Sequence, residues 1–162
     1  MEQVQKYTVV IYTENQIGIL TQLANVFTRR SLNILSLSGN ASDKAGIHTL
    51  TIDTEATPKR IEETARQLEK RVDVVKVEYY TEDRMVYKEL ALYKVSTPKM
   101  IQSGNIEDIL QSHNARILEI NSDYTVISKV GTTEQTAALF AALSPYGILQ
   151  FQRSGRAIVS RD

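Results

Sequence analysis

The chain has 162 residues, which is enough for one domain or two small ones. Nineteen lysines and arginines balance nineteen aspartates and glutamates, so no overall positive field draws the chain to nucleic acid or anionic lipid. Cysteine is absent, which excludes disulfides and thiolate-held metals and suits a reducing compartment.

Reading from the amino terminus, MEQVQKYTVVIYTE alternates polar and apolar residues and lacks the basic-then-apolar build of a secretory signal. With no run of 18 apolar residues, the expectation is a soluble, cytoplasmic protein. Tyr7 to Tyr12 reads as a strand. Leu20, Leu23, Ala24 and Phe27 then follow the spacing of one helix face. Leu32 to Ser38 and Ile47 to Thr54 read as two strands about the turn-rich stretch from Asn40 to Gly46. Thr57-Pro58 predicts a capped helix start, with Ile61, Ala65, Leu68 and Val72 as its buried stripe. Val72 to Tyr80 closes the unit as a strand, giving the order β-α-β-β-α-β.

The charged stretch Thr81-Glu82-Asp83-Arg84 is the expected boundary, dividing the chain into domains 1–82 and 83–162. The plan then restarts. Val86 to Val95 reads as a strand, Asn105 as the cap of a helix carrying Ile106, Ile109 and Leu110, and Ile117 to Ile120 with Tyr124 to Val130 as strands about Asn121-Ser122-Asp123. Thr132 and Gln135 have capping-box spacing ahead of Leu139, Phe140 and Leu143. Gly147 ends that helix, Ile148 to Arg153 is the last strand, and an apolar-tipped tail follows at Ala157-Ile158-Val159. The fold class is therefore α+β, two tandem ferredoxin-like units. Such small units bury only about 60% of their unfolded surface, and each sheet keeps one face without helices, so an oligomer is expected.

Catalytic chemistry finds little support. His48 and His113 are the only histidines and lie far apart in sequence, and no nucleophile elbow, phosphate loop or metalloprotease motif occurs. Arg29-Arg30 and Lys70-Arg71 fall at helix ends, where cations suit the dipole; phosphate binding is the competing reading. The loop Glu14-Asn15-Gln16-Ile17-Gly18 is different. It leads into a helix amino terminus whose unpaired N–H groups are a seat for a carboxylate. Gly18 leaves the backbone open to approach, and Asn15 is placed to cap the helix or meet a ligand. Asn33, at the start of the second strand, is expected to approach the same region or the loop of a partner.

The run from Glu14 through Asn15, Gly18, Leu20, Phe27, Arg30 and Asn33-Ile34 resembles the signature of ACT domains, specifically those of acetolactate synthase small subunits. The likeness continues through QLEKRVDVVKV at 67–77, KELALYKV at 88–95, DYTVISKVGTTEQTAALFAAL at 123–143 and QRSGRAIVSR at 152–161. The resemblance implies an amino-terminal ACT domain for amino-acid sensing and dimerisation, followed by a second ferredoxin-like domain. It also implies a chain with no catalytic residues, metal or cofactor of its own. The thiamine diphosphate, magnesium and FAD of the holoenzyme would sit on a catalytic (large) subunit, which this chain would activate and render sensitive to feedback inhibition by valine or another branched-chain amino acid. Carried over by motif, the effector site is Asn15, Gln16, Ile17, Gly18, Ile19 and Leu20 of one protomer with Asn33, Ile34 and Leu35 of the other. The N–H groups of Gly18, Ile19 and Leu20 would hold the carboxylate, and Ile17 and Leu35 would receive the branched side chain. Ser31 departs from the glycine common at that position, and Thr97 to Asn105 fits loosely. The alternatives are a free-standing tandem ACT sensor controlling another enzyme or a transcription regulator, and a small enzyme built on the same units.

Overall fold

The computed structural model describes residues 3–162. The chain divides into two compact units, residues 1–86 together with 158–162, and residues 87–157. The change of unit falls just beyond the charged stretch expected to carry it, and the last five residues return to the first unit.

In the first unit β1 (Gln5–Glu14), α1 (Ile19–Arg29), β2 (Ser36–Ala41), β3 (Ile47–Ala56), α2 (Pro58–Glu69) and β4 (Val74–Tyr80) follow in order. The sheet order is β2-β3-β1-β4, and β1 runs antiparallel to both β3 and β4. Alternation along β1 sends Tyr7, Val9 and Ile11 towards the helices, where they meet Leu23, Val26 and Phe27 of α1 and Ile61, Ala65 and Leu68 of α2. Each such side chain contributes about 1.5–3 kcal/mol by leaving water. Thr57 caps α2 by accepting the Arg60 N–H at 3.3 Å, as its place before Pro58 predicts.

Three details differ from the periodicity. The stripe on α2 stops at Leu68, because the helix closes at Lys70 and leaves Val72 in a turn with its side chain fully in solvent. The second strand starts at Ser36 rather than Leu32: Leu32 is buried in the core, and the chain between is tied by Leu35 N–H to Asp53 C=O at 2.8 Å and Thr54 Oγ1–H to Asn33 C=O at 2.7 Å. Ser31 takes a left-handed backbone, φ 53°, in the turn that ends α1.

The second unit repeats the plan with β5 (Met85–Ser96), α3 (Thr97–Ser103), α4 (Ile106–Ser112), β6 (Arg116–Ile120), β7 (Tyr124–Gly131), α5 (Thr133–Leu143) and β8 (Ile148–Ser160), in sheet order β6-β7-β5-β8. Its first helix is broken in two at Gly104, which is left-handed at φ 69°. Asn105 precedes α4 without a side-chain capping bond. The capping box of α5 forms in full: Thr132 Oγ1 accepts the Gln135 N–H, and Gln135 Oε1 accepts the Thr132 N–H. Tyr93, Ile127, Leu139 and Leu143 are wholly buried, and Phe151 stacks between Tyr93 and Phe140 with ring centroids 5.0 and 4.9 Å away.

The final strand outruns its expected end at Arg153 by seven residues, to Ser160. Beyond residue 157 it belongs to the first unit. Ile158, Val159 and Ser160 form one wall of a cavity of about 340 Å³ whose other walls are Val10, Tyr12, Thr49, Thr51, Lys76, Glu78 and Tyr80, on the helix-free face of the first sheet. Burial, reinforced by the Glu78 carboxylate, raises the hydroxyl pKa values of Tyr12 and Tyr80 above the usual tyrosine range. Arg161 donates from its N–H to Arg84 C=O at 3.0 Å and from Nε to Met85 C=O at 3.1 Å, and Arg84 pairs with Asp162.

Candidate functional site

The loop between β1 and α1 is held from below by two neighbouring turns. Glu14 N–H donates to Asp73 C=O at 2.9 Å, as does Thr13 Oγ1–H at 2.8 Å, and Asn15 N–H donates to Gly46 C=O at 3.2 Å. These bonds fix the exit of β1 while leaving Asn15, Gln16, Ile17 and Gly18 exposed. Ile17, an isoleucine with no cover at all, is the most exposed large apolar side chain described, and Leu20 keeps 45% of its surface.

Asn15 does not cap α1. The cap position is Gly18, left-handed at φ 81°, and no side chain bonds to the first turn. A Cβ there would meet nothing within 4 Å, so the space in front of the helix start is open. Of the N–H groups expected to face a ligand, that of Ile19 is engaged by Gln16 C=O at 3.2 Å, and the Ile19 side chain is buried in the core. The N–H groups of Gly18, Leu20 and Thr21 have no acceptor among the described residues. Thr21 is a residue the motif does not point to; its place in the first turn becomes visible only once the helix start is fixed at Ile19. The exposed donors and the partial positive charge of the helix end together favour a carboxylate.

Asn33, Ile34 and Leu35 lie elsewhere. Ile34 packs partly on the core, while Asn33 is exposed and Leu35 keeps 48% of its surface. Ser36 pairs with Asp53, and Asp53 with Thr8, whereas the loop leaves β1 at Glu14, opposite Ile47. Six residues separate these two rows, so at about 3.3 Å per residue the two segments stand ~20 Å apart along the sheet. Within one chain they do not meet. The strand between them, β2, is an edge with no neighbour on its outer side among the described residues, and it exposes Leu37. At its centre Gly39 fits closely against Leu50, since a Cβ would lie 2.7 Å from that side chain.

Elsewhere the groups capable of chemistry are paired or dispersed. His48 is half-buried in β3, and His113 closes α4. No group of three or more His, Asp or Glu converges into a metal-holding cluster among the described residues, and no helix described is long and apolar enough to cross a membrane. The helix-free face of the second sheet carries a cavity of about 390 Å³ in which Lys94 lies 4.1 Å over the Tyr124 ring and Tyr124 donates to Glu119 at 2.7 Å.

Residues 9–76 match the family model for the AHAS small subunit-like ACT domain, and residues 88–162 match that for the small subunit of acetolactate synthase. The acetolactate synthase small subunit of Mycolicibacterium smegmatis is 31% identical over 155 residues, covering 96% of this chain and 91% of the relative. The probable acetolactate synthase small subunit of Archaeoglobus fulgidus is 30% identical, covering 96% of this chain and 97% of the relative. The crystal structure of the acetolactate synthase small subunit from Thermotoga maritima superposes with a TM-score of 0.87 at 26% identity, covering 98% of both chains.

Proposed function

The chain belongs to the acetolactate synthase small-subunit family, and we propose that it is the regulatory subunit of such an enzyme, with no active site of its own. In this reading it dimerises through its ACT domains, activates a thiamine-diphosphate-dependent catalytic subunit in the cytosol, and confers inhibition by valine or a related branched-chain amino acid.

The observation that carries the reading is the ~20 Å separation between the loop at Asn15 to Leu20 and the segment Asn33 to Leu35, six strand residues apart in one chain. A second copy resolves it. β2 runs parallel to β1, so pairing β2 with its own copy about a two-fold axis turns the partner strand round. The start of that strand then comes level with this chain's β1 exit, where its Asn33 and Leu35 face Ile17 and the open donors of Gly18, Leu20 and Thr21. Gly39 supports such pairing, because a glycine in mid-strand lets another backbone approach closely. The site so formed offers N–H groups for the α-carboxylate, amides of Asn15 and Asn33 for the ammonium group, and apolar walls for a branched side chain.

Regulation then follows from linkage. An amino acid bound across the two-fold favours one arrangement of the dimer, and a coupling of about 1–3 kcal/mol changes the support given to the catalytic partner by roughly 5–150-fold. The test is acetolactate formation by the catalytic subunit with and without this chain, across a valine titration. Stimulation that valine reverses is expected, with Asn33→Ala moving the inhibition curve to higher valine while stimulation persists. Superimposable curves for Asn33→Ala and the parent would remove Asn33 from the site. No stimulation at any ratio of subunits would refute the assignment and favour the tandem sensor.

A further inference from the structure

The outer surface of the first unit, on its helix-covered face, carries a second polar cavity that the effector site does not use. It measures about 250 Å³ and is lined by Gln22, Asn25, Val26 and Arg29 of α1 with Gln67 and Arg71 from α2 and the turn after it. No carboxylate is among these residues. The surrounding hydrogen bonds orient what is there. Arg71 Nη2 donates to Gln22 Oε1, and Arg30 Nε donates to Gln67 Oε1 at 2.7 Å, so both glutamine carbonyls are occupied and their NH₂ ends remain to donate. The nearby Glu63 carboxylate is held by Arg30 Nη1 at 2.9 Å.

Arg71 Nε is buried without an acceptor, and Arg29 makes no hydrogen bond or ion pair among the described residues. Favourable helix-dipole placement accounts for a cation at the end of each helix. It does not account for two guanidinium groups from different helices lining one cavity that is rich in donors and free of acid. Two like charges lining one cavity without a carboxylate repel each other, and a bound anion relieves that repulsion.

We propose that the groove between α1 and α2 is a binding site for phosphate, either the free ion or the phosphate group of a small metabolite. Arg29 and Arg71 supply the charge, and the amides of Gln22, Asn25 and Gln67 complete the donor shell. The volume lies below the range of about 300–1,000 Å³ typical of drug-sized ligands, which fits an ion or a short phosphorylated compound. The several oxygens of a tetrahedral anion also match two forked guanidinium groups better than the two of a carboxylate.

The experiment is titration of inorganic phosphate into the full-length chain in phosphate-free buffer, followed by phosphorus NMR and calorimetry. One site per chain is expected, with Kd near 1 mM or tighter and sulfate competing. Arg29→Gln, at an exposed side chain with no partner to lose, weakens binding by about tenfold, as expected for one charge-assisted contact. Asn25→Asp, which puts a carboxylate in the cavity, abolishes it. Amide-exchange protection of β1 confirms that both variants are folded. Absence of saturable phosphate binding in the parent, or unchanged affinity in both folded variants, overturns the proposal; acetate competing as well as sulfate overturns the assignment to phosphate. None of these residues belongs to the effector site, so a negative result leaves the valine titration standing, and the reverse also holds.

Discussion

Two left-handed residues flank α1, and they carry opposite predictions. Gly18 at φ 81° begins the helix and Ser31 at φ 53° lies in the turn that ends it. For a residue bearing a Cβ this conformation costs about 1–2 kcal/mol. Replacing glycine by alanine recovers roughly 0.4–1 kcal/mol by narrowing the unfolded ensemble. Neither site complicates the sum. A Cβ at Gly18 meets nothing within 4 Å, and the Ser31 hydroxyl is exposed and makes no hydrogen bond among the described residues, its N–H alone bonding to Thr28 C=O at 3.0 Å. Gly18→Ala is therefore expected to destabilise the first unit by about 1 kcal/mol, and Ser31→Gly to stabilise it by up to a similar amount. Because the chain has two units, a global melting curve mixes them. Native-state amide exchange at Val9, Ile11 and Ile52, in the first core, reports that unit alone. A change of 1 kcal/mol is about fivefold in protection, since 1.4 kcal/mol is tenfold. Exchange that slows in Gly18→Ala, or quickens in Ser31→Gly, would refute the backbone argument.

The second unit offers two further tests. Thr132→Ala removes one half of a reciprocal capping box and is expected to cost about 1 kcal/mol, read as faster amide exchange at Ile127 and Tyr93 with β1 unaffected. Tyr93 is wholly buried, its hydroxyl donates to Thr136 C=O at 2.5 Å, and burial pushes its pKa up to about 12. Its neutral form is thus favoured in the folded state; the stability it contributes is intact below pH 10, the unfolded value, and is lost as pH rises from there through about 12. Urea midpoints of the second unit measured from pH 8 upward should fall above pH 10, and Tyr93→Phe should flatten that decline; an equal decline in the variant would exclude Tyr93 as its source.

What the sequence disclosed followed the range of the interactions involved. Thr57, Thr132 and Gln135 were legible because a cap is decided by residues three apart, and both fold units were legible because alternation and helical spacing report burial directly. Val72 misled because it continues the 3.6-residue period past a helix that has already ended at Lys70. Residue type suits Asn15 either to cap the helix or to meet a ligand, whereas the backbone turns at Gly18, and only that turn shows that Ile19 N–H is engaged and Thr21 N–H is open. The distance between the loop and Asn33 was invisible in the motif, since it depends on strand register through β3. The same holds for Arg29 and Arg71, which are 42 residues apart and converge only because α1 and α2 pack side by side.

The strand that ends as part of the first unit has a consequence for synthesis. Val10 is almost fully buried although it points away from the helices, and Ile158 to Ser160 supply part of its cover. On the ribosome, residues 1–86 emerge more than 70 residues before that cover does. The amino-terminal unit must therefore pass through translation with Val10 and its neighbours on that sheet face still bare, and it reaches its finished form only after the whole of the second unit has been made. At translation rates of about 5–20 residues per second that interval lasts several seconds, long enough for a chaperone or a neighbouring nascent chain to find the face first.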